Sequence, residues 1–305
     1  MARAGPSFWR KLAWRLEAVG FDLFTAGFRL LPVDTASALG GALLRRLGPL
    51  TAAHKTAAAN LKLAFPEKDP AWRARVLDAQ WDNTGRTFAE FSLMDRLRPS
   101  TGRVEVVNEE RLRAVARSGR PVVLVSGHWA NWEVMAAAIV ESGVVCLVTY
   151  RAANNPYVDQ RIKAGRFRYG VRLFAPKGGE GARDLLDAMG RGESVALMND
   201  QKFNQGVPAP FFGRPVHTAP GPTRLALRFG TVIQPLSVQR LGGAHFRVVV
   251  HEPMEMENTG DRTADIEAGV RRVTRFVEDR VRERPEEWFW SHRRWPNDAY
   301  AELEA

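Results

Sequence analysis

The chain of 305 residues holds a single cysteine, Cys146. No intrachain disulfide can form and no cysteine-based metal cluster can assemble, which suits a reducing compartment. Cys146 sits in an apolar, strand-like run, 144–148, where a packing role is expected of it. Long apolar runs are also missing. A membrane-crossing helix needs about 20 mostly apolar residues, whereas the longest stretch free of Asp, Glu, Lys and Arg in the first fifty positions is 35–44. The start lacks a clean apolar block followed by a small-residue cleavage site, so a cleavable signal peptide is not expected. No zinc-finger spacing, RNA-binding aromatic signature, internal repeat or low-complexity linker is present.

What is present is a 45% hydrophobic composition, enough for a sizeable core in one large domain or two small ones. Lysine plus arginine outnumber acids 44 to 34, a net charge of +10. The expected partners are therefore anionic: nucleic acid, acidic lipid or an acidic protein. Charge alone does not choose among them. The missing recognition motifs count against nucleic acid, which is not expected as a partner.

From Val104 onward, short β-branched runs alternate with helix-forming stretches. Strands are expected at 104–107, 122–125, 144–149, 171–174, 194–198, 232–237 and 246–250. Helices are expected from Asn131, around Pro156, at 181–189, at 222–229 and at about 262–284. This pattern predicts an α/β fold with a mainly parallel or mixed central sheet flanked by helices. Upstream, 35–46, about 54–64 and about 70–91 read as helices. The division expected is 1–50 as N-terminal membrane-associating helices and 51–305 as a single α/β domain.

The N-terminal segment explains the first of these. Phe8, Leu12, Leu16, Val19, Leu23 and Leu30 recur at helical spacing, thickened by Trp9, Trp14, Phe21, Phe24 and Phe28. Lys11, Arg15, Asp22 and Arg29 fall in a stripe about 40° wide, leaving most of the girth apolar. Such a helix is expected to lie in or along a membrane surface with its polar seam toward the protein body or water, and Pro32 ends it.

Chemistry concentrates where the run 122–125 gives way to a helix. Gly127 permits a tight exit, Asn131 is a plausible N-cap, and Glu133 stands in the first turn, where the helix dipole favours negative charge. On one continuous helix His128 and Glu133 would point about 140° apart. With His128 in the loop and Glu133 inside the helix they can converge. A neutral imidazole backed by a carboxylate is a general base, and no serine or cysteine is needed if the substrate brings its own hydroxyl. The competing reading is a loop-capping histidine and a dipole-answering acid. The carboxyl end of a strand in an open sheet, the usual place for a ligand crevice, favours the first.

Gly127-His128-Trp129-Ala130-Asn131-Trp132-Glu133 resembles the His, four residues, acid motif of the lauroyl and myristoyl acyltransferases of lipid A biosynthesis, a motif shared with glycerolipid acyltransferases. The resemblance extends through Asn60-Leu61, Ala64-Phe65-Pro66-Glu67, Trp81-Asp82-Asn83-Thr84-Gly85-Arg86, Tyr150-Arg151, Asn154-Asn155-Pro156, Asn199-Asp200-Gln201, Pro210-Phe211-Phe212-Gly213 and Trp288 with His292-Arg293-Arg294-Trp295. It implies transfer of a fatty acyl chain from an acyl carrier protein to a hydroxyl of an anionic, Kdo-bearing lipid A precursor. His128 would act as general base with Glu133 as its partner, at the cytoplasmic face of a bacterial inner membrane, with no cofactor or metal. Acylation of a glycerophospholipid or amino-acid lipid, and a noncatalytic membrane-bound scaffold, are the alternatives. Where many relatives carry a threonine-rich run, this chain reads His217-Thr218-Ala219-Pro220.

Other loops add candidates. Arg151 follows a strand as His128 does and suits a phosphate or a developing oxyanion, or else fixes the Asn154-Asn155-Pro156 turn. Asn154 and Asp200 are further substrate-binding candidates implied by the resemblance. Arg161, Arg166, Arg168 and Arg172 read mostly as a solvated face. Arg86 and Glu90 are spaced for an ion pair on one helix. The Phe211-Phe212 loop is expected either to pack as a lid or to enter lipid, and the Trp288 to Trp295 tail either to contact headgroups or to pack. Lys177-Gly178-Gly179-Glu180-Gly181 lacks the spacing of a nucleotide P-loop, so ATP binding is not expected.

Overall fold

The computed structural model describes residues 6–171, 174–176 and 179–303. Arg172 and Leu173, inside the strand expected at 171–174, and Lys177 and Gly178 of the glycine-rich run lie outside them. The strands are β1 Val104–Val107, β2 Val123–Ser126, β3 Cys146–Tyr150, β4 Phe174–Pro176, β5 Ser194–Met198, β6 Val207–Phe211, β7 Arg214–Thr218, β8 Ile233–Gly242 and β9 His245–Val250. Seven form one sheet in the order β1-β9-β8-β2-β5-β3-β4, and β6 and β7 form a separate hairpin. Strands β8, β2, β5, β3 and β4 run parallel, and β9 with β1 runs the other way. The sheet is therefore mixed, as the alternating pattern predicts. All four residues of β2 are buried, which a strand with partners on both edges and helices on both faces requires. Cys146 is buried at the start of β3, and desolvation pushes its thiol pKa up, so the thiol is unreactive.

The helices are α1 Phe8–Arg29, α2 Val33–Leu47, α3 Ala52–Ala64, α4 Pro70–Glu90, α5 Glu109–Ser118, α6 Glu133–Glu141, α7 Pro156–Arg168, α8 Gly179–Gly190, α9 Gly221–Phe229, α10 Arg262–Glu283 and α11 Asn297–Ala301. Helix α5, which is not among the helices expected from the sequence, carries one fully buried side chain, Leu112, and a strongly charged remainder.

Helix α1 docks through polar contacts. Arg161 holds Asp22 at 2.6 Å, Asn155 Nδ2 donates to the Trp14 carbonyl and to Glu17, and Arg29 pairs with Asp95 at 2.6 Å. Phe8, Trp9, Leu16, Val19, Leu23 and Leu30 are left exposed, Leu30 at 86%, and α2 adds Leu39, Leu43 and Leu47. No helix among the described residues is long and apolar enough to cross a membrane.

Helices α2 and α4 meet backbone to backbone. A Cβ on Gly85 would lie 2.1 Å from the Gly40 carbonyl oxygen, and one on Gly40 2.4 Å from that of Gly85. Farther along α4, Arg86 pairs with Asp82 and not with Glu90. Glu90 is fully buried and holds Arg240 and Ser37 instead, because the face of α4 that carries it turns inward.

Two loops read as possible lipid contacts are core. The 207–218 segment is the β6–β7 hairpin, whose Phe211 and Phe212 are buried against Trp288, Trp295 and Phe65. In the tail, Trp288, Trp290 and Trp295 are buried, and Asn60 Nδ2 on α3 donates to the carbonyls of Trp290 and His292 at 2.6 and 2.7 Å.

The α2–α4 contact yields a direct test. Gly85→Ala is expected to lower unfolding stability by about 1–3 kcal/mol, as overpacking does. Gly20→Ala in α1, where an added Cβ meets nothing within 4 Å, is expected to be neutral or stabilising. Chemical denaturation of the two variants in parallel checks this, and equal destabilisation would contradict the close approach.

Candidate active site

The register of three neighbouring strands assembles the site. Ser126 at the end of β2 pairs with Met198 at the end of β5, and Asn199 N–H continues the ladder to the Ser126 carbonyl at 2.9 Å. His128 and Asp200 each lie two residues beyond that pair, so they emerge side by side. Asp200 is buried and its carboxylate receives three N–H groups. The His128 backbone N–H donates to Oδ2 at 2.7 Å, the Trp288 indole Nε1–H to Oδ2 at 2.8 Å, and the His128 ring meets Oδ1 through Nδ1 at 2.8 Å. Burial alone would raise the Asp200 pKa. The His128 charge and these hydrogen bonds outweigh it and hold the carboxyl well below the usual carboxylate range. An ionised Asp200 fixes the neutral imidazole with its proton on Nδ1, leaving the Nε2 lone pair for a substrate.

The loop carrying His128 is stitched to the tail. Phe289 N–H donates to the His128 carbonyl at 3.0 Å, and Ala130 N–H to the Glu287 carbonyl at 2.9 Å. The Ala130 carbonyl accepts the Thr87 hydroxyl at 2.8 Å. Ala130 has φ +41°, a conformation that costs a non-glycine residue about 1–2 kcal/mol and is sustained by these contacts. A Cβ at Gly127 would lie 2.9 Å from the Trp129 ring, so the turn needs glycine.

Glu133 occupies a different position from the one expected of it. Its backbone N–H donates to Asn131 Oδ1 at 3.2 Å, although the N-cap position of α6 is Trp132 and not Asn131 as expected, and it starts α6 as a buried residue. Its carboxylate is clamped by Arg166 through Nε at 2.9 Å and through Nη2, and by the Tyr169 hydroxyl. Desolvation raises the Glu133 pKa, but Arg166 and Tyr169, with a further contribution from the His128 charge, hold it below the ordinary value. The imidazole Nδ1 is thus bonded to Asp200, while Glu133 faces the histidine as a second, more distant negative charge. Arg166, expected on a solvated face, belongs to this cluster because α7 turns it inward. Tyr169 had no sequence signal beyond its aromatic type, and Trp288 was marked only by the resemblance, with no role attached. Asp200 had one, its place after a strand, but the pairing of β5 with β2 decides which loop it meets.

Arg151 follows β3, the strand beside β5, and is exposed on the same edge of the sheet. Asn154 is exposed in the turn, whereas Asn155 caps α7 by accepting from Tyr157 N–H at 2.9 Å. From His128 an aromatic wall runs outward. The Trp132 ring lies 5.0 Å from the imidazole, Phe91 and Phe289 lie 5.7 and 6.0 Å from Trp132, and Phe88 follows Phe91 at 5.8 Å. Phe88 and Phe91 are exposed, and the turn that begins at Phe91 is the one α1 docks on through Ser92 and Asp95. Among the described residues no cluster of His, Cys, Asp and Glu is arranged to hold a metal ion.

The model of the bacterial lipid A biosynthesis acyltransferases matches residues 20–297. The chain belongs to that family. Individual members are distant. The lipid A biosynthesis myristoyltransferase of Escherichia coli (strain K12) is 24% identical over 294 residues, 93% of this chain and 86% of that protein. A lipid A biosynthesis acyltransferase of Shigella flexneri is 23% identical over 241 residues, 77% of this chain and 76% of that one. Among solved structures, the 1-acyl-sn-glycerophosphate acyltransferase PlsC of Thermotoga maritima aligns at 14% identity over 80% of this chain and 99% of that one, with a TM-score of 0.37. Membership of the lipid A acyltransferase family supports acyl transfer to a lipid as the chemistry of the chain.

The depressed carboxyls make a pH prediction. A folded-state pKa below the unfolded value adds stability that is present above the unfolded value, about 4 for Asp and Glu, and lost as pH falls toward the folded one. Wild-type stability should therefore fall as pH drops below about 4, and Asp200→Asn should flatten that acid limb while lowering stability at neutral pH. Urea midpoints measured across this range check it, and an unchanged acid slope in Asp200→Asn would contradict the assigned ionised state.

Proposed function

We infer that the chain transfers a fatty acyl group from the thioester of an acyl carrier protein to a hydroxyl of an anionic, Kdo-bearing lipid A precursor. The observation that carries this reading is the His128 imidazole, bound to a buried ionised carboxylate through Nδ1, standing at the inner end of an aromatic wall that leads to the surface. His128 Nε2 takes the hydroxyl proton as the oxygen attacks the thioester carbonyl. The resulting imidazolium is stabilised by Asp200 directly and by Glu133 at longer range. As the tetrahedral intermediate collapses, the C–S bond breaks and the proton passes from Nε2 to the departing sulfur. Arg151 or loop amides stabilise the oxyanion, and Arg151 with Asn154 contacts the anionic acceptor.

The acyl chain lies along Trp132, Phe91 and Phe88, where apolar surface is already open. Helix α1 rests its exposed apolar face on the membrane, with its polar seam turned to the protein, so that a lipid acceptor reaches the base without crossing water. On this reading the enzyme works at the cytoplasmic face of a bacterial inner membrane, where anionic lipid attracts a chain of net charge +10. An acidic carrier protein fits the same positive charge.

His128→Ala is expected to lower acyl transfer by about 10²–10⁴-fold, the usual worth of a general base, with the circular dichroism spectrum unchanged. Purified enzyme, labelled acyl carrier protein and a panel of defined acceptors provide the assay. Substantial turnover in the variant removes His128 as the base. Preferential acylation of a glycerophospholipid or an amino-acid lipid removes the acceptor assigned here.

A further inference from the structure

Trp129, the residue after His128, helps with Ser237, Gln239, Arg280, Glu283, Arg284 and Glu287 to line a small cavity. Its free space for the centre of a water molecule is about 10 Å³, which is room for one. Three polar atoms of these side chains are buried without a hydrogen-bond partner: Trp129 Nε1, Arg280 Nε and Glu287 Oε2. Two are donors and one is an acceptor. Trp129 and Glu287 are almost wholly buried, at 2% and 6% exposure, so bulk water does not satisfy them. Buried polar groups are normally satisfied, and where no protein atom does so an ordered water commonly does.

The lining residues define that partner. Glu287 Oε1 is already used, accepting from Arg284 Nη1 at 2.8 Å and from Arg240 N–H at 3.1 Å, so only Oε2 remains. Ser237 Oγ lies 2.8 Å from His251 Nε2, and with either imidazole tautomer the hydroxyl keeps one hydrogen-bonding site over. A cation is opposed by Arg280 and Arg284. An anion is opposed by Glu283 and Glu287, so the two pairs of charges balance. A neutral molecule of this size that both accepts and donates is required, which is water.

We propose that this cavity is a binding site for one resident water, accepting from Trp129 Nε1–H and Arg280 Nε–H and donating to Glu287 Oε2, with Ser237 Oγ as its fourth neighbour. The site has a positioning consequence. Trp129 is the residue after His128 and forms an isolated bridge with Trp288, the donor to Asp200. Glu287 supplies the carbonyl that holds Ala130. One water therefore ties α10 and β8 to both chain segments that hold the histidine and its carboxylate. The proposal rests on the polar lining alone and stands independently of the reaction assigned above.

A high-resolution crystal structure of the wild-type protein tests it, together with a water cross-peak to the Trp129 indole proton in solution. One ordered water bonded to Trp129, Arg280 and Glu287, and a cross-peak from a long-lived water, are expected. Ser237→Ala should retain the water with weakened density, and Glu287→Leu should lose it. A dry cavity in the wild type, or side chains that bond one another directly across it, would overturn the site. Because the wild-type experiments decide the question, a variant that fails to fold leaves the test intact.

Discussion

The carboxylate of Asp200 is the point on which the site depends. It is buried, it ends a central strand, and it draws in three N–H groups from two different parts of the chain: the backbone and ring of His128 and the indole of Trp288. A buried carboxylate is costly unless fully paired. Satisfying it fixes the imidazole's tautomer and orientation and also pins the tail onto the loop. Glu133 repeats the arrangement one layer away, with Arg166 and Tyr169 as its donors.

The rest of the molecule holds that point in place and gives it an apolar approach. The parallel pairing of β2, β5 and β3 delivers His128, Asp200 and Arg151 to one edge. Helix α4 turns Glu90 inward, where it holds Arg240 and Asn131 together, and Asn131 in turn receives the N–H of Glu133. Helix α1 is bound to α7 by the Asp22–Arg161 ion pair and to the turn after α4 by Arg29–Asp95, while most of its leucines and several aromatic residues face outward. The division of labour along α1 follows from its wheel: a charged seam too narrow to solvate the helix is wide enough to dock it.

Much of this was legible in the sequence where the signal is local. The alternation of β-branched runs and helical stretches locates the sheet, and β1 and β5 have the bounds read from their residues. His128 is recognisable because the glycine before it and the helix after it both lie within a few residues. The partners of His128 are not local. Asp200 is 72 residues away, and no periodicity in either segment states that β5 lies beside β2. For the same reason the spacing of Arg86 and Glu90 suggests an ion pair that the inward turn of α4 forbids, and the prolines of 208–215 hide a hairpin whose phenylalanines belong to the core. Motifs specify residue types, whereas strand order specifies which of them meet.

The central claim is that Asp200 holds His128 with its proton on Nδ1 and its lone pair on Nε2. Nitrogen-15 NMR of the wild-type protein labelled at histidine reads this directly. The account predicts that neutral His128 is the Nδ1–H tautomer, with a hydrogen-bonded Nδ1 proton shifted well downfield that Asp200→Asn abolishes. A His128 protonated on Nε2 at neutral pH, or an Nδ1 proton indifferent to Asp200, would contradict it.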